Sequence, residues 1–442
     1  MLNLYVNIFL GEKMKNKNGL LYDTYEKPPL GKLIILALQH IFAMFGATIL
    51  VPIMINKGLG REVIGIPLAL LTSGIGTLLY ILCTKGKSPV YLGSSFAFVT
   101  PVILAFTKDG YSGVTTGIIS VGIIYILVSF LVKLFGKSWI ERVLPPVVVG
   151  PMIMIIGLSL APNAVNQIGL TGDNIVFSSL FVAMISFIVT SIFAVYAKGF
   201  LKVIPFLLGI ISGYVLSILF GLVDFTPVAE SQFFSVPNIL IPFKDYSFSL
   251  VGFLTMAPIA FVSIAEHIGD HMALSSIIHK DLLKEPGLNR TLLGDGVATL
   301  FAGLIGGPAN TTYGENTSVV GMSKVASIWV IGTAAVLSII ISFLGTVTSV
   351  FSTIPSFVLG GVSLLLYGFI SVNGLKVLIE NKVDFNDAKN VIIVSAMLIL
   401  GLGGAVVTIS TGDISVSLTG MSLAAIVGII LNLLLNKDKS VY

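Results

Sequence analysis

Residues Gly306–Val320 read GGPANTTYGENTSVV. This stretch carries a carboxylate (Glu315), a tyrosine, three threonines and two asparagines, together with a proline and three glycines. Strongly apolar runs flank it. Its placement decides the fold, because a polar and easily bent segment inside an apolar chain needs a structural reason.

Of 442 residues, 55% are hydrophobic and 10% charged, with mean hydropathy +1.01. A soluble chain this apolar could not cover itself with polar surface, so the composition indicates a polytopic membrane protein. The single cysteine, Cys83, excludes an internal disulfide and a Cys-rich metal site. The formal charge is only +4, and no basic patch with interleaved aromatics supports nucleic-acid binding. At the N-terminus the apolar residues precede the lysines and no small-residue cleavage site follows. The sequence therefore predicts a tail outside the bilayer rather than a secretory signal.

Hydrophobic runs mark fourteen candidate spans: 33–54, 64–83, 91–106, 114–132, 143–160, 175–196, 203–222, 250–268, 288–305, 311–322, 325–343, 358–370, 391–407 and 415–435. The third and tenth are too short or too polar for ordinary spanning helices. If the N-terminus lies inside and the spans alternate, only Lys57, Arg61, Lys108 and Lys244 of the 25 Lys and Arg fall outside. That bias predicts both termini on the cytoplasmic side.

Two local similarities recur in the same order. LLTSGIGTLL (Leu70–Leu79) resembles LLGDGVATLF (Leu292–Phe301), and SSFAF (Ser94–Phe98) matches TTYGE (Thr311–Glu315) in residue character. The alternative to chance similarity is a duplication of seven spans. An odd number inverts the second copy, and inverted repeats with paired broken helices are characteristic of secondary transporters. In this reading GSSFAF and NTTYGE are short extended segments that cross, pair their backbones and start half-helices. Asn310, Thr311 and Thr312 then suit capping, and the free amides suit carbonyl or anionic oxygens. The opening stretch becomes a ligand floor centred on Tyr313 and Gly314; a re-entrant loop without ligand is the competing reading.

A second polar island, SIAEHIGDH (Ser263–His271), falls at the end of the eighth span. Ionisable residues there default to function. Glu266 and Asp270 share one helix face, with His267 and His271 on the adjacent one. The order does not match the His-Glu-x-x-His of zinc proteases, so no metal site is expected. His271 is expected at a solvated helix end beside Lys280. His40 is either a packing or a proton-coupling residue, and Asp295 a cap or a bridge between helices.

Together, QHIFAMFGATILVP (Gln39–Pro52), YLGSSFAF (Tyr91–Phe98), AEHIGD (Ala265–Asp270), KDLLKEPGLNR (Lys280–Arg290) and NTTYGEN (Asn310–Asn316) resemble the nucleobase–ascorbate transporters, from about Pro28 to the last span. The resemblance implies an all-α polytopic fold of fourteen transmembrane segments in two inverted repeats of seven, with short antiparallel strands in segments 3 and 10. It implies a cytoplasmic tail (1–32), a core domain (33–139 and 245–350), a gate domain (140–244 and 351–436) and a C-terminal tail (437–442). It implies a homodimer in the bacterial cytoplasmic membrane that makes and breaks no covalent bond, needs no cofactor and imports its substrate with a proton. Carried over by position, Glu266 and Glu315 hold the ring edge of the substrate, and backbone amides near Phe96 and Gly314 meet its carbonyls. Ala47, Tyr313 and Tyr367 line the pocket. The coupled proton falls to Glu266, Asp270 or His40, with the two carboxylates treated as a coupled pair.

Glu315 is the clue to substrate class. Members of the family that carry xanthine or urate usually have Gln before this Asn, whereas uracil members have Glu. Uracil offers N–H donors at N1 and N3, which carboxylates accept. The chain departs from the family pattern at Ser318, where Gly is usual, at Ser323-Lys324, where Thr-Arg is usual, and at Asp270, where some uracil members have His. A purine or xanthine permease is the alternative within transport. An intramembrane hydrolase using Glu266, His267 and His271 on a metal, and a channel, are the rivals from other classes.

Overall fold

Backbone inside lipid must satisfy its own hydrogen bonds, so long apolar runs become helices. The computed structural model describes residues 19–171, 176–202, 204–411 and 414–435. Its principal elements begin with α1 (Leu30–Leu59), α2 (Ile66–Cys83), β1 (Leu92–Ser94), α3 (Val99–Phe135), α4 (Pro146–Ser159), α5 (Phe177–Tyr196) and α6 (Pro205–Leu219). They continue with α7 (Ile259–Ile278), α8 (Leu288–Leu304), β2 (Asn310–Thr312), α9 (Gly314–Ser323), α10 (Ile328–Ser342), α11 (Ser356–Glu380) and α12 (Ala388–Leu402). The last three are β3 (Val406–Thr411), β4 (Ile414–Thr419) and α13 (Gly420–Leu434). Among the described residues, seven helices are long and apolar enough to cross a membrane, and four shorter apolar helices accompany them. The chain is a multi-pass membrane protein.

The two short strands pair antiparallel, Leu92 opposite Thr312, Gly93 opposite Thr311 and Ser94 opposite Asn310. All six residues are buried. Three residues cannot satisfy their own backbone, and neighbouring side chains complete the set. Ser73 Oγ donates to Leu92 O at 2.6 Å, and Leu92 N donates to Thr77 Oγ1 at 2.9 Å. Asn310 Nδ2 donates to the carbonyls of Thr72 and Ala298, and Thr299 Oγ1 donates to Asn310 O. The repeated LLTSGIGTLL and LLGDGVATLF segments therefore supply matching hydroxyls, Thr77 and Thr299, to the two strands. Each strand leads into a helix start: a 3₁₀ turn over Phe96–Phe98 that runs into α3, and α9.

Packing is closest where small residues meet. On α3, a Cβ at Gly122 would strike the backbone of Leu300 and Gly296 on α8. α2 packs on α8 and α10, α11 on α4 and α5, and α5 on α6. α3 breaks at Asp109–Gly110, where Gly110 takes φ +56°, separating the stretches expected as the third and fourth spans. There Asp109 Oδ2 accepts from Ser249 Oγ at 2.5 Å.

Several expectations change. The eighth span does not end at Ile268: α7 runs to Ile278, so Asp270 and His271 lie inside the helix. The expected span 358–370 likewise extends to Glu380. Residues 406–411 and 414–419 form an antiparallel hairpin, which takes in the expected end of the thirteenth span, 406–407, and the expected start of the fourteenth, 415–419. VVTIST and ISVSLT are rich in β-branched residues and alternate with period two, a strand pattern that bulk hydropathy hides. Asn310, Thr311 and Thr312 do not cap α9, because that helix starts beyond them, with Tyr313 at its N-cap position and no side-chain cap bond.

Of the expected tails, residues 1–18 and 437–442 lie outside the described residues. Residues after Gly19 lie against the α9–α10 turn. Leu21 N donates to Lys324 O, Ala326 N to Tyr22 O and Ile328 N to Thr24 O. Lys280 Nζ meets Asp23 Oδ1 at 2.5 Å. Partial burial pushes the Asp23 carboxyl up, but hydrogen bonds from Lys280 and Thr24 outweigh it and hold the group below its usual range.

Gly93 tests the strand crossing. A Cβ there would overlap the Tyr313 ring, whereas one at Gly368 in the middle of α11 would meet nothing within 4 Å. Gly93→Ala should cost about 1–3 kcal/mol as overpacking and lower the melting temperature in detergent, with Gly368→Ala unchanged or slightly higher. Equal melting of the two variants would contradict the crossing as described.

Candidate functional site

A cavity of about 700 Å³ opens beside the strand crossing. Its polar floor comes from two places, the middle of α7 and the β2–α9 junction. Thr311, Thr312, Tyr313, Gly314 and Glu315 line it from the junction, Glu266 and Asp270 from α7, and Phe96 from the 3₁₀ turn after β1. The four-residue spacing on α7 puts both carboxylates on one face, toward the junction.

Each α7 carboxylate takes one hydrogen bond from β2. Thr311 Oγ1 donates to Glu266 Oε2 at 3.3 Å, and Thr312 Oγ1 donates to Asp270 Oδ2 at 2.5 Å. The third carboxylate, Glu315, stands in the first turn of α9. Among the described residues no Lys, Arg or His stands within ion-pair distance of these three carboxylates. The first amides of a helix lack intrahelical acceptors, so the starts at Phe96 and Gly314 add donors to a wall otherwise rich in acceptors. Such a site suits a small, flat ligand with N–H groups and carbonyl oxygens on its rim.

The residues on either side of Gly314–Glu315 are fastened to α1. Thr48 Oγ1 donates to Tyr313 Oη at 3.1 Å, and Tyr313 Oη donates to Ser94 O at 3.1 Å. Asn316 Nδ2 lies 3.1 Å from both His40 O and His40 Nδ1. The start of α9 is therefore held at two points, with the Glu315 side chain between them.

Phe96, Glu266, Asp270, Tyr313, Gly314 and Glu315 come together as read from the sequence. Ala47, Tyr367 and His40 are not on the cavity wall. Ala43, one turn before Ala47, is the α1 residue that lines it. Tyr367 stands behind Phe96, edge to face at 5.7 Å, and its hydroxyl meets Met54 Sδ at 2.7 Å. His40 is buried against Asn316.

His271 is not at a solvated end. It is fully buried, with Nε2 2.6 Å from Tyr80 Oη and Nδ1 2.7 Å from His267 O. The extension of α7 carries this position into the packed interior beside α2. His267 Nδ1 lies 2.8 Å from Asp295 Oδ2, so Asp295 does bridge helices. The two histidines stack at 4.1 Å and face α2 and α8, not the carboxylates in the cavity.

Polar residues of the wall that were missed include Asn373, Lys376 and Glu380 on α11, and Lys202 before α6. The α11 residues recur at helical spacing in SVNGLKVLIE. Ending the twelfth span at Ile370 turned that stripe into a loop and hid it.

A model described as Permease family matches residues 31–435. The chain is 47% identical over 410 residues to a protein named uracil permease from Bacillus subtilis, covering 91% of this chain and 92% of the relative. It is 43% identical over 412 residues to the uracil permease of Escherichia coli K12, covering 92% of each. In shape it resembles the transmembrane domain of the cyanobacterial bicarbonate transporter BicA, with TM-score 0.55, 16% identity and coverage of 89% of this chain and 97% of that one. That likeness concerns the fold alone. The match across almost the whole length places the chain in this permease family, the nucleobase–ascorbate transporters.

Proposed function

We propose that the chain imports uracil across the bacterial cytoplasmic membrane by proton symport. The observation that carries this reading is Glu315 at the amide-rich start of α9, sharing one cavity with Glu266. Uracil presents two N–H donors and two carbonyl acceptors around a flat ring. Glu266 and Glu315 accept from the ring N–H groups, and the backbone amides at Phe96 and Gly314 donate to the carbonyls. The similarity to proteins named uracil permease supports the same substrate.

The architecture proposed is fourteen segments in two inverted repeats of seven, supported by the antiparallel pairing of the short strands and the helix start after each. Segments 1–4 and 8–11 form the core domain and the remainder the gate domain. The close packing of α3 on α8 and of α11 on α4 and α5 supports that division. The Lys and Arg distribution supports termini on the cytoplasmic side. Lys202, Lys376 and Glu380 then mark the mouth of the cavity, so the site faces the cytoplasm here. Transport follows by alternating access, with the core carrying uracil past the gate. Proton coupling and a homodimer complete the proposal, both carried by the family resemblance.

Glu315→Gln should keep the fold and remove a charged acceptor. A hydrogen bond to a charged group contributes about 1.5–3 kcal/mol, so labelled uracil should bind roughly ten- to a hundredfold more weakly to the purified variant. Parent-like binding would contradict the site.

Asp270 and Glu266 form the pair in which the coupled proton resides. Asp270→Asn fixes the neutral form of one member. Uracil binding should persist with little pH dependence over about pH 5–8, while gradient-driven accumulation should fall sharply. If the variant accumulates uracil as the parent does, the proton role moves elsewhere, first to His40.

A further inference from the structure

The floor of the proposed site, at the β2–α9 junction and the middle of α7, has more acceptors than donors among its side chains. Glu266, Asp270 and Glu315 all accept, and the hydroxyls of Thr311 and Thr312 are already committed to two of them. Two ring carbonyls need donors, and the backbone amides all come from one side of the cavity, the strand crossing.

The opposite wall is α11. A methyl group built on Gly314 would stand 3.7 Å from Asp270 Oδ1 and 3.9 Å from Asn373 Nδ2. The Asn373 amide therefore shares with Asp270 the space directly over Gly314. Asn373 is open to the cavity, and its amide has no hydrogen-bond partner among the described residues. Asn381, the other side-chain amide on this wall, lies about two helical turns further along α11 and already donates to Val377 O at 2.8 Å.

From this juxtaposition we infer that Asn373 is a specificity-determining residue that donates from α11 to one of the two carbonyl oxygens of the pyrimidine ring. The inference rests on the reading of the cavity as the uracil site and deepens it. Ring recognition then draws on two packing groups at once. The carboxylates and backbone amides belong to α7, α9 and the strand crossing, whereas Asn373 belongs to the helix that packs on α4 and α5. The Asn373 bond forms only while α11 and the α9 start stand at their present separation. It thereby ties the grip on the substrate to the approach of the two groups. It also favours a keto oxygen over any substituent that accepts poorly, because an unmatched donor loses its partner.

The test is equilibrium binding of uracil, 2-thiouracil and 4-thiouracil to the purified full chain. Sulfur at either ring position weakens one acceptor and leaves the ring N–H groups in place. The parent should prefer uracil to at least one thio analogue. Asn373→Ala should weaken uracil about three- to tenfold, leave that one analogue within about twofold, and so erase the preference at a single ring position. Asn381→Ala should preserve it. Melting temperatures of the variants establish that each is folded, and alanine at an open helical position favours folding. Equal losses for uracil and both analogues, or no loss at all, would overturn the inference. Glu315→Gln, measured alongside, separates the two levels. Parent-like uracil binding in that variant removes the site itself. Weak binding there, with the thio preference intact in Asn373→Ala, removes only the role of Asn373.

Discussion

Two three-residue strands meet inside a chain built almost entirely of apolar helices, and their backbone groups have no lipid or water to bond. The rest of the structure is arranged to meet that demand. β1 and β2 bond each other, hydroxyls from Ser73, Thr77 and Thr299 bond the backbone of Leu92 and Asn310, and the Asn310 side-chain amide ties the crossing to the carbonyls of Thr72 and Ala298. Each unsatisfied group in such surroundings costs several kcal/mol, so these side chains are structural before they are functional. The same crossing stops two helices from running through, and each stop exposes amides at a helix start. A binding floor is thus a by-product of breaking a helix where the chain cannot tolerate loose ends.

That floor is rigid on one side. Thr48 and His40 on α1 hold Tyr313 and Asn316, and Ser94 O accepts from Tyr313, so the start of α9 is fastened to its surroundings at several points. Thr311 and Thr312 orient the two α7 carboxylates from below. The wall opposite, α11, contributes side chains with few attachments to this floor. A firmly held floor facing a wall with few bonds to it suits the alternating access proposed above. The ligand gains affinity from preorganised groups and senses movement through the remainder.

Much of this was legible in the sequence because it was written as polar residues where apolar ones are the default. NTTYGEN and AEHIGD stand out against their surroundings, and their resemblance to GSSFAF and to a known family located both halves of the crossing. The partners of the buried histidines were not legible. His267 and His271 sit one residue after Glu266 and Asp270 at the same spacing, and only the rotation of α7 shows that they turn toward Asp295 and Tyr80. Hydropathy also misjudged helix ends. It stopped α7 at Ile268 and α11 at Ile370, although a helix lining a wet cavity continues through further polar residues, and so it overlooked Asn373. The β3–β4 hairpin was hidden for the converse reason, since apolar strands and apolar helices contribute equally to a hydropathy window.

The central claim is that a proton and uracil cross together through the cavity at the strand crossing. Purified protein in liposomes, given labelled uracil outside and an acidic exterior, measures this directly. The account predicts uptake that overshoots the external concentration and collapses to equilibration when a protonophore is added. Uptake that never exceeds equilibration, or that proceeds unchanged with the protonophore present, would contradict it.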